Sequence, residues 1–163
     1  MADNLQEMEQ FSLAQTIRNN IRGTDVGMQS EVSSRNMQLR RAILYVKDLE
    51  RMRLFYSQML GASPTNQGWT DAWATFETGG ARFSLHAIPA DIAKSIVIES
   101  PPTPREQHAV KLIFEVKDVE SERARLESLG VQLLRRPWQK PGEACDAIDP
   151  EGNVFQICSS GAE

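Results

Sequence analysis

The pentapeptide Val46-Lys47-Asp48-Leu49-Glu50 returns as Val116-Lys117-Asp118-Val119-Glu120, seventy positions further along the chain. No other feature limits the fold so tightly, because a repeat in register implies one supersecondary unit used twice around a shared core. Each copy follows a short apolar run, Ala42 to Val46 and Val110 to Val116, which reads as a strand. Each Asp is placed to cap a helix, its carboxylate accepting the free amides of the first turn. The helices end at Gly61 and Gly130, which suit the left-handed turn after the last helical residue. In the first helix Leu49, Met52, Phe55, Tyr56, Met59 and Leu60 keep one apolar stripe.

The rest of each copy reads as strands. Trp73 to Phe76 and Arg82 to His86 flank the turn Gly79-Gly80, and Cys145 to Ile148 and Val154 to Cys158 flank Asp149-Pro150-Glu151-Gly152-Asn153. Gly80 and Gly152 stand seventy-two apart, so the register survives almost to the end of each copy. The expected fold class is α+β, with two tandem βαβββ units in a body over residues 37–160. Unit one covers 38–88 and unit two 108–159; a proline-rich connection, 89–107, carries one short helix over Ala90 to Ile98. Residues 1–36 are a separate extension. Met8, Phe11, Ala14, Ile17 and Ile21 form one stripe of an amphipathic helix that Gly23 ends, and a polar linker follows.

Composition narrows the function. A net charge of −4 and a pI near 5.3 argue against nucleic acid or an anionic membrane as partner. No apolar run reaches the length of a membrane span, and the N-terminus lacks the basic start and apolar core of a secretory signal. Cys145 and Cys158 have no metal-binding spacing and read as reduced thiols, which points to the cytoplasm.

The ordered set Val46-Lys47-Asp48-Leu49-Glu50, Phe55-Tyr56, Leu60-Gly61 and Asp149-Pro150-Glu151-Gly152-Asn153 resembles the vicinal-oxygen-chelate superfamily of glyoxalases, bleomycin-resistance proteins and dioxygenases. The resemblance covers roughly residues 38 to 159. It implies mixed sheets curled into a cup or half-barrel around a ligand cavity, and a homodimer. It also implies a divalent metal held by four cavity positions, one on the first and one on the last strand of each unit. Those positions fall at Arg41, Ser84, Lys111 and Gln156. Only Gln156 is a credible metal ligand, since a guanidinium cannot coordinate and an ammonium must first lose its proton.

No cofactor is therefore expected, and a divalent metal is disfavoured. Arg41 and Lys111 instead suggest a site for a small organic molecule with an anionic group, held by charge-assisted hydrogen bonds. Crowded cations would also lower the Lys111 pKa and fit it for general-base work. His86 shares the face of Ser84, two residues back, as a ligand-orienting group. Trp69 and Trp138 are candidate ligand-stacking aromatics at the cup mouth, while Arg135-Arg136 reads as a solvated patch. Two other readings stay open. One is a metal-dependent lyase, isomerase or dioxygenase using Gln156, His86 and Glu77 or Glu143 in a rearranged site. The other is a protein-interaction module that docks through the stripe of residues 8 to 21.

Overall fold

A computed structural model of the chain describes residues 38–65 and 71–161. One compact unit spans Arg40–Glu163. The helical stripe expected in the extension, and Trp69, lie outside the described residues.

The elements follow the repeat. Strand β1 (Arg41–Val46), helix α1 (Leu49–Leu60), β2 (Trp73–Glu77) and β3 (Arg82–Ala87) form the first copy. After a single helical turn, α2 (Ala90–Ala93), the second copy runs β4 (Leu112–Val116), α3 (Val119–Ser128), β5 (Gln132–Leu134), β6 (Ala144–Ile148) and β7 (Val154–Ser159). The sheets are mixed and matched, β1-β3-β2 in the first copy and β4-β7-β6-β5 in the second. In each, the first strand runs parallel to the last and lies at one edge. The counterpart of β5 in the first copy is reduced, among the described residues, to Thr65, whose amide donates to the Thr75 carbonyl at 2.7 Å.

Both caps form for the expected reason. Asp48 accepts from the Arg51 amide at 3.0 Å and Asp118 from the Ser121 amide at 2.7 Å. Gly61 and Gly130 take φ of 61° and 77°, the left-handed region that closes a helix without a Cβ penalty. Two boundaries differ from expectation by more than one residue. The connecting helix stops at Ala93 rather than Ile98, and β4 begins at Leu112, one residue after Lys111.

The core sits on the helix-facing sides of both sheets. Met52, Tyr56 and Met59 of α1 and Leu126 of α3 are buried with Val46, Phe76, Phe83, Leu85, Phe155 and Ile157. Rings cross between the copies: Phe55 lies 6.1 Å from Phe155, and Phe83 lies 6.0 Å from Phe114.

The Asp-Pro-Glu-Gly-Asn segment does more than turn the chain. Glu151, nearly fully buried, accepts the backbone amides of Lys47 at 3.0 Å and Asp48 at 2.7 Å, so the second copy helps to cap the first copy's helix. Asp149 accepts from the Glu151 and Asn153 amides, the Asn153 side chain and the Tyr56 hydroxyl, at 2.7–3.0 Å. Burial pushes the Asp149 carboxyl up against the lowering effect of those donors, and it pushes the Tyr56 phenol well up, with the Asp149 charge adding to the rise. At the far end of α1, Arg125 donates to the carbonyls of Gln58 and Met59. The segment 103–105 lies across Gly152, where an added Cβ would stand 2.3 Å from the Thr103 carbonyl oxygen.

Candidate functional site

The candidate positions lie on the sheet faces turned away from the helices. Strand alternation puts Arg41, Ile43 and Tyr45 on that face of β1. The register aligns them with Arg82, Ser84 and His86 on β3, and carries Trp73, Thr75 and Glu77 of β2 onto the same side. In the second sheet Ile113, Gln156, Asp146 and Leu134 are aligned across β4, β7, β6 and β5. Thr75 and Asp146 stand seventy-one residues apart, so each sheet carries the same three positions: Arg41, Thr75 and Ser84 in one, Lys111, Asp146 and Gln156 in the other.

The second set forms a charged cluster. Lys111 Nζ donates to both Asp146 oxygens, at 2.9 and 3.0 Å, and to Gln156 Oε1 at 3.3 Å. Asp146 is only 1% exposed and also accepts from Arg136 Nε at 3.0 Å and Gln139 Nε2 at 2.7 Å. Its own amide donates back to Gln139 Oε1 at 3.3 Å. Arg136 reaches past Asp146 to Glu106, at 2.7 and 2.9 Å. Burial pushes the Asp146 carboxyl up. The hydrogen bonds from Lys111, Gln139 and Arg136, with the Lys111 charge, outweigh that and hold it below its usual range.

The first set is neutral at its centre. Ser84 is fully buried, and its hydroxyl lies 3.0 Å from that of Thr75. Arg41 is half-buried at the start of β1. His86 stacks on Trp73 with ring centres 3.9 Å apart and lies 5.3 Å from the Tyr45 ring. Trp138 is 72% exposed on the β5–β6 loop, with the Arg136 guanidinium 5.6 Å from its ring centre.

Of the predicted residues, Lys111 and Gln156 are brought together, with Trp138 close by through Arg136. Ser84 and His86 belong to the other sheet. Lys111 does not face Arg41 as a bare second cation: its ammonium is bonded to Asp146. Arg136 is likewise no solvated surface charge, since its side chain is only 15% exposed and is paired twice. The rearranged acidic site does not assemble either. Glu77 pairs with Arg82 and Glu143 with Lys140, and no group of three or more His, Cys, Asp or Glu suited to a metal occurs among the described residues. Sequence reasoning missed Asp146, Arg136 and Gln139. A lone Asp inside Ala144-Cys145-Asp146-Ala147-Ile148 was the available signal, since a buried carboxylate demands partners.

A model of the family described as glyoxalase-like domain matches residues 41–158. The chain belongs to this family. With it comes the vicinal-oxygen-chelate superfamily, to which similar solved structures also point. A glyoxalase-related enzyme from Fulvimarina pelagi is 21% identical, with a TM-score of 0.54 over 76% of this chain and 88% of that one. A glyoxalase/bleomycin resistance protein/dioxygenase family enzyme from Burkholderia phytofirmans is 20% identical, with a TM-score of 0.54 over 76% of this chain and 98% of that one. A lactoylglutathione lyase from Agrobacterium tumefaciens is 19% identical, with a TM-score of 0.55 over 78% and 96%. At these identities the likeness is one of fold. A comparison with curated proteins found no match.

The glyoxalase-like fold implies a divalent metal at Arg41, Ser84, Lys111 and Gln156, and these residues do not fit one. The Gln156 amide oxygen already accepts from an ammonium, the Ser84 hydroxyl is bonded to Thr75, and a guanidinium has no lone pair to give.

Proposed function

We propose that this glyoxalase-like protein binds a small organic molecule through an anionic group, without a metal, and that Lys111 is the anchoring cation. The observation that carries this reading is the Lys111 ammonium itself. It stands where the resemblance expects a metal ligand, pinned by Asp146, yet its side chain remains 39% exposed. A cation already fixed loses little freedom when it binds, so less of the interaction is spent on ordering it. Its contact with Gln156, at 3.3 Å, is the longest of the three. A ligand carboxylate or phosphate oxygen takes that place and receives a charge-assisted bond, and Gln156 turns its amide to donate to the same ligand.

Calorimetric titration with acetate, benzoate and inorganic phosphate tests this. Binding that weakens with added salt and drops about tenfold or more in Lys111→Met is expected. Unchanged binding in that variant, or a stoichiometric metal in protein purified without chelators, refutes it.

We propose also that the protein is a homodimer. β1 and β4 are both edge strands, and Ile43 and Ile113, at equivalent points of the repeat, are 42% and 58% exposed. A groove of about 510 Å³ runs beside these edges, lined by Ala42, Leu44, Tyr56, Val110, Leu112 and Phe155. A second copy buries edges and groove together. Sedimentation showing a monomer at every concentration would end that proposal.

A further inference from the structure

The helix-distal face of the first sheet carries an aromatic rung with one unexplained atom. Tyr45, His86 and Trp73 are cross-strand neighbours on β1, β3 and β2. The imidazole lies against the Trp73 indole, with planes 14° apart, and the Tyr45 ring flanks it from the neighbouring edge strand, tilted by 46°. Tyr45 is 59% exposed, so the rung is open at that end. His86 Nδ1, by contrast, is buried and has no hydrogen-bond partner among the described residues.

An imidazole held by stacking cannot swing out to water, and a buried ring nitrogen without a partner is unfavourable. Thr75 and Ser84, on the next rung of the same face, are hydrogen-bonded to each other. In the tautomer that carries its proton on Nε2, the imidazole presents Nδ1 as an acceptor. What is missing beside it is a donor, and what surrounds it is a set of flat π-faces.

We infer that the Tyr45–His86–Trp73 rung recognises a planar, conjugated group bearing an O–H or N–H donor, and that His86 is the specificity-determining residue. This rests on the reading that these sheet faces hold a small organic molecule, and it names the class selected: flat donors over saturated ones. The planar group stacks against the rung, and its donor hydrogen bonds to Nδ1.

The probes are phenol and cyclohexanol, which share an O–H donor and differ in planarity. They are titrated into the full chain carrying ¹⁵N-labelled histidine, with His108, the second of the two histidines, as internal reference. Phenol is expected to move the His86 Nδ1 resonance saturably and to bind about tenfold more tightly than cyclohexanol. In His86→Phe, which keeps a ring and removes the acceptor, the preference followed by tryptophan fluorescence should shrink severalfold. Should that variant fail to fold, the comparison in the parent protein decides alone. Equal responses to the two alcohols, or a His86 resonance that neither moves, overturns the inference. Carboxylates that still bind through Lys111 while phenol leaves His86 unmoved sink the rung alone. A phenol response without carboxylate binding sinks the anion reading alone.

Discussion

Asp146→Asn is the sharpest test of how the charged cluster is held. The substitution keeps the shape of a side chain that is almost wholly buried, but it replaces one acceptor oxygen by an NH₂ group. Four donor contacts converge on the carboxylate, two from Lys111 and one each from Arg136 and Gln139. An amide can serve the donors on its oxygen side, while those facing its NH₂ meet another donor. Losing two charge-assisted bonds costs about 3–6 kcal/mol. Lys111 is partly exposed and Arg136 keeps Glu106, so the lower end applies and the expected loss is about 3 kcal/mol. For a domain of this size that lowers the melting temperature by about 10 °C.

Urea unfolding at neutral pH measures the loss, and a series into acid tests its cause. The folded-state pKa of Asp146 is lowered. Its stabilisation is therefore whole above the usual carboxyl range and is lost as pH falls through the lowered value. Asp146→Asn has no such component, so the gap between parent and variant should narrow in acid. A variant within about 0.5 kcal/mol of the parent at neutral pH, or a gap that does not change with pH, would refute the assignment.

Three further outcomes follow from the structure. Gly152→Ala combines a φ of 81° with a carbonyl 2.3 Å from the new Cβ and should cost about 3 kcal/mol, whereas Gly79→Ala, at φ 83° with nothing within 4 Å, should cost about 1–2 kcal/mol; paired thermal melts compare them. The Tyr56 phenol should not ionise in alkali until the protein unfolds, a behaviour read by absorbance at about 295 nm beside circular dichroism. Glu151→Ala strips the acceptor from the Lys47 and Asp48 amides and should cost about 2 kcal/mol by urea unfolding.

Features set by neighbours in sequence are legible in the sequence itself. Asp48 and Asp118 each cap a helix through an amide three residues ahead, and Gly61 and Gly130 end those helices, because a cap is decided by residues within one turn. Lys111 and Gln156 also meet, at 3.3 Å, because the first and last strands of the second copy pair side by side. What could not be read is the identity of remote partners. Glu151 meets Lys47 across 104 residues and Tyr56 meets Asp149 across 93, and nothing local in Asp149-Pro150-Glu151-Gly152-Asn153 distinguishes a turn from a turn that also clamps a helix. Arg136 looked solvated for the same reason: its partners, Asp146 and Glu106, lie on a different strand and in the inter-unit connection.

The clamps on α1 also show why the two copies, alike in register, are unequal in energy. Glu151 at its start, Asp149 at Tyr56 and Arg125 at its end all come from the second copy. The repeat offsets give Gly79, Glu77 and Phe55 as their counterparts in the first copy. Gly79 has no side chain to reach α3 with, Glu77 is engaged by Arg82, and Phe55 packs into the shared core. These polar contacts tie α1 to the second copy and, being shared, tie the second copy equally to the first, while the rings that cross the core add apolar packing. Neither half keeps its full set of contacts when the other unfolds. Residues 40–163 should therefore unfold in one cooperative transition, although their sequence is built from two units.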